Sequence, residues 1–280
     1  MDAENPQIVR ATRIHLNRDA RTAAVIRQIL AACLNQIAAN GPLIRTRNPD
    51  ALHQTRIGVR RARSALVLFK KQIDKTSRRR MNEELRGLGN RLGATRDFDV
   101  FLLHTLPRAE RQLATELPRI RKEIQARQND AYRHAETETW NVTDTLILRA
   151  GFDEPIAELA PDLLGRLARR VKKAVRHLDT AEQRHGLRKA MKKLRYGVEF
   201  FESLYDPKPV RQYGQRCKDV QEVLGDMNDA STTVRLVTEM EGLPGADLLH
   251  HWAGQQESKT IEQIGTAIRD FKLAKPFWKS

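Results

Sequence analysis

Apolar residues recur along this chain with the period of an α-helix and show no strand alternation of useful length. Between residues 19 and 39 they fall at Ala20, Ala24, Ile26, Leu30, Cys33, Leu34 and Ile37, and Asn40-Gly41-Pro42 follows as a stop signal. Asn48-Pro49-Asp50 opens a second helix running to about Ile73. A third is expected from Ser77 to Leu92 with a break at Gly93. A fourth follows a cap at Thr95 or Asp97 and reaches about Trp140, interrupted near Pro107 and Pro118. After a linker at 141–154 the order returns, with helices near 155–178, 181–205, 209–224 and 228–241 and a last one from Pro244-Gly245 to about Leu273. The pattern predicts an all-α protein of two pseudo-twofold-related antiparallel bundles, about four helices each, over residues 1–140 and 155–280.

The two halves also share a motif. His53-Gln54-Thr55-Arg56-Ile57-Gly58-Val59-Arg60-Arg61-Ala62-Arg63 is matched, at an offset of 132, by His185-Gly186-Leu187-Arg188-Lys189-Ala190-Met191-Lys192-Lys193-Leu194-Arg195. The same offset joins Phe69 to Phe201, Arg86 to Lys218, and Leu92-Gly93 with Arg96-Asp97 to Leu224-Gly225 with Asn228-Asp229. Several matches in one register indicate a duplicated unit, so the function belongs to what the copies share. On a helix, His53, Arg56, Arg60 and Arg63 fall within about 80° of arc and extend roughly 15 Å. His185, Arg188, Lys192 and Arg195 take the same places, and Lys189 and Tyr196 extend that face. The apolar residues Val59, Ala62, Leu66 and Phe69, and Leu187, Met191, Leu194, Val198 and Phe201, lie on another face.

A solvated helix face normally alternates Glu with Lys for i,i+4 support. Here Asp74 is the only acid from 51 to 80, and none occurs from 183 to 198. Like charges at that spacing destabilise a helix, and a bound anion compensates. Arg offers a planar fork and Lys a point charge to phosphate oxygens. The histidines add donors that charge below about pH 6.5, whereas Lys and Arg are expected to stay charged from pH 8 to 6. His53 and His185 are poor candidate metal ligands, since cations surround them and no carboxylate or Cys stands at i+3 or i+4. Base readout would want Asn, Gln and aromatics among the cations; the first stripe has only Gln54, which points off the face.

Composition agrees. The 280 residues carry a formal net charge of +15 with only 5% aromatics, which draws polyanions and suits aliphatic helical packing. Cys33 and Cys217 are too few for a disulfide scaffold or a Cys-based zinc site, which fits a reducing, cytoplasmic setting. No signal peptide and no run of 18 apolar residues is visible, so neither secretion nor a membrane span is expected.

The duplicated motifs, with Leu92-Gly93-Ala94-Thr95-Arg96-Asp97 and Leu224-Gly225-Asp226-Met227-Asn228-Asp229, resemble the CHAD family, the conserved histidine α-helical domain, from about residue 15 to 275. The resemblance implies two helical bundles around a basic central cavity that binds inorganic polyphosphate, and association with polyphosphate granules. The polyphosphate-binding residues so indicated are His53, Arg56, Arg60, Arg61, Arg63, Arg86 and Arg96 in the first half. In the second they are His185, Arg188, Lys189, Lys192, Lys193, Arg195, Tyr196 and Lys218. One departure is Asn228 where the first half has Arg96. Some family members add a triphosphatase domain marked by Glu-x-Glu-x-Lys; Glu136-Thr137-Glu138-Thr139-Trp140 lacks the lysine and reads as solvated charge. Asp97 and Asp229 are expected to cap helices or pair with Arg, and His250-His251 to be structural. Arg10, Arg13, His15 and Arg18 read equally as part of the basic surface or as an exposed tail; Arg78-Arg79-Arg80 and Arg211 are further candidates for the cavity lining. No metal or cofactor is expected. The competing readings are a nucleic-acid-binding protein using backbone phosphates and a polyphosphate phosphohydrolase, for which no nucleophile–base pair or acidic metal cluster is found.

Overall fold

The computed structural model describes residues 7–136, 146–151 and 153–279. Among them are nine α-helices: α1 Thr22–Ile44, α2 Pro49–Leu68, α3 Lys75–Val100, α4 Leu106–Leu113, α5 Leu117–Glu136, α6 Ile156–Ala174, α7 Ala181–Phe201, α8 Pro207–Glu239 and α9 Ala246–Leu273. The helix starts repeat with the duplication. Asn48 and Thr180, equivalent under the repeat, cap α2 and α7, and the equivalent pair Asp74 and Asp206 cap α3 and α8, each accepting from backbone N–H groups of the first turn.

Three expected breaks are absent. Helix α3 runs through Gly93 to Val100, and α8 is one 33-residue helix through Gly225. Neither glycine has a positive φ, so neither works as a left-handed C-cap. A Cβ on Gly93 would stand 3.6 Å from Arg56 Nη1, and one on Gly89 3.2 Å from Val59 Cγ1, so glycine lets α3 lie close against α2. Helix α1 also continues past Asn40-Gly41-Pro42 to Ile44. Buried Asn40 donates to the carbonyls of Val9 (2.7 Å) and Gln36 (2.8 Å), pinning the N-terminal segment instead of ending the helix. The interruption expected near Pro107 is a π-helical turn, Phe101–Thr105, before α4; near Pro118 it is a single 3-10 turn, Ala114–Glu116, before α5. The expected end near Trp140 and linker residues 141–145 lie outside the described residues, as do all but the first residue of Glu136-Thr137-Glu138-Thr139-Trp140.

One hydrophobic cluster joins both halves, from Ile14 on the N-terminal segment through α1–α3 to α6–α9 and Trp278; a second gathers α4, α5, the end of α8 and the start of α9. Two close approaches set the helix pairs. A Cβ on Gly58 would meet Ile37 Cγ1 at 2.8 Å, and one on Gly197 would meet Leu167 Cδ1 at 2.7 Å, so α2 seats on α1 and α7 on α6. Helix α1 is the one described helix long and apolar enough to cross a membrane. Its Val25, Ile26, Ile29, Leu30, Cys33 and Ile37 are spent inside this core at 0–1% exposure.

Equivalent residues touch each other at two places. Phe69 and Phe201 meet edge to face with ring centroids 6.1 Å apart. Thr22 donates its N–H (3.1 Å) and hydroxyl (2.7 Å) to the carbonyl of its own counterpart, Glu154. Such self-contacts are those expected beside the axis of the pseudo-twofold that the sequence repeat predicts. The segments leading into each half are exchanged across it. Residues 146–149 bridge to 72–74, with Asp74 donating to the Ile147 carbonyl and Arg149 to that of Gln72, both at 2.9 Å. Reciprocally, Leu16 donates to Ser203 Oγ (2.9 Å) and Arg18 to the Leu204 carbonyl (2.6 Å).

Candidate anion-binding site

Helices α2 and α7 carry the two basic stripes and lie in contact with each other. Their capped starts fix the register, and the apolar faces of both helices are sunk in the shared core. Arg60 and Lys192 occupy equivalent positions and are electrostatic neighbours; Arg56 and Arg188 also act on Lys192. The consequence is visible in the proton affinities. Burial, then Arg188, Arg60, Arg56 and Arg195, push Lys192 down to about 6. Burial, with Arg96 and Arg60 beside it, pushes His53 down to about 4. Burial and Arg60 lower even Arg56, to about 10. His185 is lowered by partial burial and by Lys189, Arg188 and Lys192. These are cations whose charge the folded protein opposes. The expectation that Lys stays charged through neutral pH is opposed at Lys192, whose ammonium burial and the surrounding guanidiniums disfavour.

Donors are left open as well. The Nε–H groups of Arg60, Arg188 and Arg195 are buried and find no acceptor among the described protein atoms. Buried guanidinium N–H groups without partners are costly, and a bound oxyanion would satisfy them.

The other sequence-derived residues divide. Arg96 reaches the cluster anchored by Asp99 (4.0 Å), a fully buried carboxylate that also accepts from Gln128 (2.7 Å) and from the Tyr132 hydroxyl (3.1 Å). Sequence reasoning missed Asp99, Gln128 and Tyr132. The readable signal is a coordinated change between the two copies, where Arg96 and Asp99 become Asn228 and Ser231. A cavity of about 220 Å³ lies there, lined by His185, Arg188, Leu224, Met227, Asn228 and Ser231 among others. Asp97 does not cap; it lies in the last turn of α3 and pairs with Arg235 at 2.6 Å, and Asp229 lies close to Arg188. Arg61, one position on from Arg60, turns into the core. It is 3% exposed, donates to Gln36 Oε1 (3.2 Å) and lies 5.6 Å from the Phe200 ring centroid. Tyr196 is buried beneath Arg195, which is bridged to Glu199 at 2.9 Å. Lys218 is exposed and bridged to Glu222 at 3.5 Å. Arg63 donates to Asn82 Oδ1 (3.2 Å) and faces Arg86, while Lys193 faces Arg170, Arg63 and Lys189. Arg13 of the N-terminal run pairs with Glu202 at 2.8 Å. Among the described residues no group of three His, Cys, Asp or Glu side chains is placed to hold a metal.

The fold is all-α, with cations of two equivalent helices brought together, and comparison supplies the family. The CHAD domain model matches residues 28–238; the chain belongs to that family. The crystal structure of the CHAD domain from the plant Ricinus communis superposes with a TM-score of 0.77 at 27% identity, covering 96% of this chain and 98% of that one. PptA from Streptomyces chartreusis shares the fold, with a TM-score of 0.63 at 16% identity over 93% of this chain and 100% of the other. No curated protein matches the chain.

Proposed function

We propose that this protein binds inorganic polyphosphate on the axial cluster, as a binding module without hydrolytic chemistry, in the cytoplasm and on polyphosphate granules. The observation that carries the reading is the pairing of Arg60 and Arg188, one from each half, with buried Nε–H donors left open beside a lysine that burial and guanidiniums push to about 6. A linear chain of condensed phosphates offers each of these donors a charged oxygen and offsets their mutual repulsion. It has no bases, matching a cluster poor in groups that read bases.

Fluorescence titration with long-chain polyphosphate, alone and against excess single-stranded DNA, tests this. Binding should survive the DNA, weaken steeply with salt as counterions are released, and be nearly abolished in Arg60→Gln/Arg188→Gln while the helical circular dichroism persists. Equal displacement by DNA would assign the cluster to nucleic acid, and release of orthophosphate would assign an enzyme.

A further inference from the structure

A cavity of about 1490 Å³ lies between the start of α8, Arg18 of the N-terminal segment and the chain from Leu273 to Lys279. Small-molecule sites occupy roughly 300–1,000 Å³, so this is a groove with room for a stretch of peptide. Its cations Arg18, Lys275 and Lys279 are not among the charges that act on His53, His185 or Lys192.

The groove lies where the two halves stop matching. In the first half, extended residues 146–149 bridge to 72–74, with Asp74 donating its N–H to the Ile147 carbonyl and Arg149 to that of Gln72. The same two bonds in the second half would join the Asp206 N–H to the His15 carbonyl and the Asn17 N–H to the Leu204 carbonyl. Neither forms. The His15 carbonyl accepts from Gln28 Nε2 (3.1 Å) and the Leu204 carbonyl from Arg18 Nη1 (2.6 Å), while Leu16 donates to Ser203 Oγ (2.9 Å). The Asp206 N–H therefore has no acceptor among the described residues, and the backbone edge that is paired in the first half borders a groove in the second.

The walls define what fits. Arg18, Lys275 and Lys279 have no carboxylate partner among the described residues. The two acids of the lining are occupied: Asp206 caps α8 by accepting from the Lys208 N–H (3.0 Å), and Asp270 pairs with Arg216 at 3.5 Å. Leu273 is 79% exposed. The rings of Tyr205 and Phe277 meet edge to face at 5.0 Å, and the Tyr205 hydroxyl is buried without a partner among the described residues. An extended peptide meets all of these demands together. Its backbone pairs with an open edge, and its side chains alternate between two sides. Carboxylates on one side reach the unpaired cations, and apolar groups on the other cover Leu273 and the rings. A condensed phosphate has no apolar side chains to offer.

We propose that this groove docks an extended acidic peptide segment of a partner protein, its backbone pairing at Asp206. The inference does not depend on the polyphosphate reading. It leaves the basic cluster of α2 and α7 free, so one molecule can hold a phosphate chain and a protein partner together.

The test selects random displayed octapeptides on the wild type and counter-selects them on Arg18→Glu/Lys275→Glu/Lys279→Glu, which discards peptides held elsewhere on so basic a protein. Circular dichroism and thermal melting check the fold of the variant. Leu273→Asp, a change at an exposed side chain, is a second variant that leaves the core intact. Enriched sequences should alternate Asp or Glu with apolar residues. Synthetic copies should bind each variant about tenfold or more weakly than wild type, as expected where charge pairs or a central apolar anchor are lost. Long-chain polyphosphate in excess should not displace them, and amide exchange at Asp206 should slow when they bind. Absence of enrichment, enrichment of basic or uncharged sequences, equal affinity for wild type and both variants, or unchanged exchange at Asp206 overturns the proposal. Displacement by polyphosphate would make the groove part of the anion site, and self-association abolished by the same variants would give it to a second copy of this chain; either result overturns it as well.

Discussion

Replacing Lys192 with methionine should stabilise the free protein while weakening its grip on polyphosphate. In the unfolded chain this lysine keeps its proton up to about pH 10.5; in the fold, burial and four guanidiniums bring that to about 6. Between those values the unfolded state binds more protons than the folded one, so stability rises with pH across the window. The folded value of a cation is depressed, so the penalty is complete below about pH 6 and is relieved as pH climbs toward 10.5. At about 1.4 kcal/mol per tenfold step, the ceiling on that penalty at pH 7 is about 5 kcal/mol. The ammonium is not wholly buried and the effective dielectric around such groups is high. Methionine keeps the length of the side chain and fills the same space, so a gain of about 1–3 kcal/mol at pH 7 is expected. Urea unfolding between pH 6 and 8.5 reads it directly. The wild-type midpoint should climb with pH and the variant's should climb less, the two converging as pH rises. The window stops short of pH 9 because Cys33 and Cys217, pushed up to about 12 by burial, ionise more easily when unfolded and reverse the slope above that point. A variant no more stable than wild type, with an unchanged pH slope, would mean that Lys192 keeps its proton in the free protein, and the reasoning would be wrong.

Other perturbations separate the remaining elements. Gly58→Ala drives a methyl to 2.8 Å from Ile37 Cγ1 and 3.1 Å from the Cys33 carbonyl, so a loss of about 1–3 kcal/mol is expected. Gly225→Ala meets nothing within 4 Å in mid-helix and should gain about 0.5–1 kcal/mol; chemical denaturation of the pair checks both, and a destabilised Gly225→Ala would argue against an unbroken α8. Asp99→Leu strands the Tyr132 hydroxyl and the Gln128 amide in the core, with an expected cost of about 2–4 kcal/mol by the same assay. His53→Gln/His185→Gln should flatten the pH dependence of polyphosphate affinity between about pH 4 and 6.5, where a bound anion restores protons that the free cluster repels. Its slope above pH 6.5 belongs to Lys192 and should persist; isothermal titration in buffers of different ionisation enthalpy counts the protons.

What could be read before the structure followed from short-range order. The helical period placed the helices, and the constant repeat offset tied His53 to His185, Arg60 to Lys192 and Phe69 to Phe201. What escaped depended on packing between distant segments. Gly93 and Asn40-Gly41-Pro42 carry the composition of helix ends, yet a passing Arg56 and a docked Val9 decide their roles. Arg61 shares the motif with Arg60, but the turn of the helix sends it under Phe200. The depressed Lys192 needs both halves brought together, and the groove beside Asp206 joins Arg18 to Lys275 and Lys279 from far along the chain with no local spacing to mark it.

The exchanged leader segments bear on how such a chain arises. Residues 146–149 dock on the first half and residues 14–18 on the second, the connectivity of an arm-swapped dimer written into a single polypeptide. One repeat alone presents a docking strip with no arm of its own to fill it, and a second copy supplies that arm. A half-length chain is therefore expected to fold as a homodimer, its stability rising with protein concentration in denaturation experiments, whereas the tandem chain holds both partners at fixed proximity. Fusion also frees the two copies to diverge: a homodimer must place Arg96 and Asp99 on both sides of its axis, and only a joined chain can exchange one pair for Asn228 and Ser231.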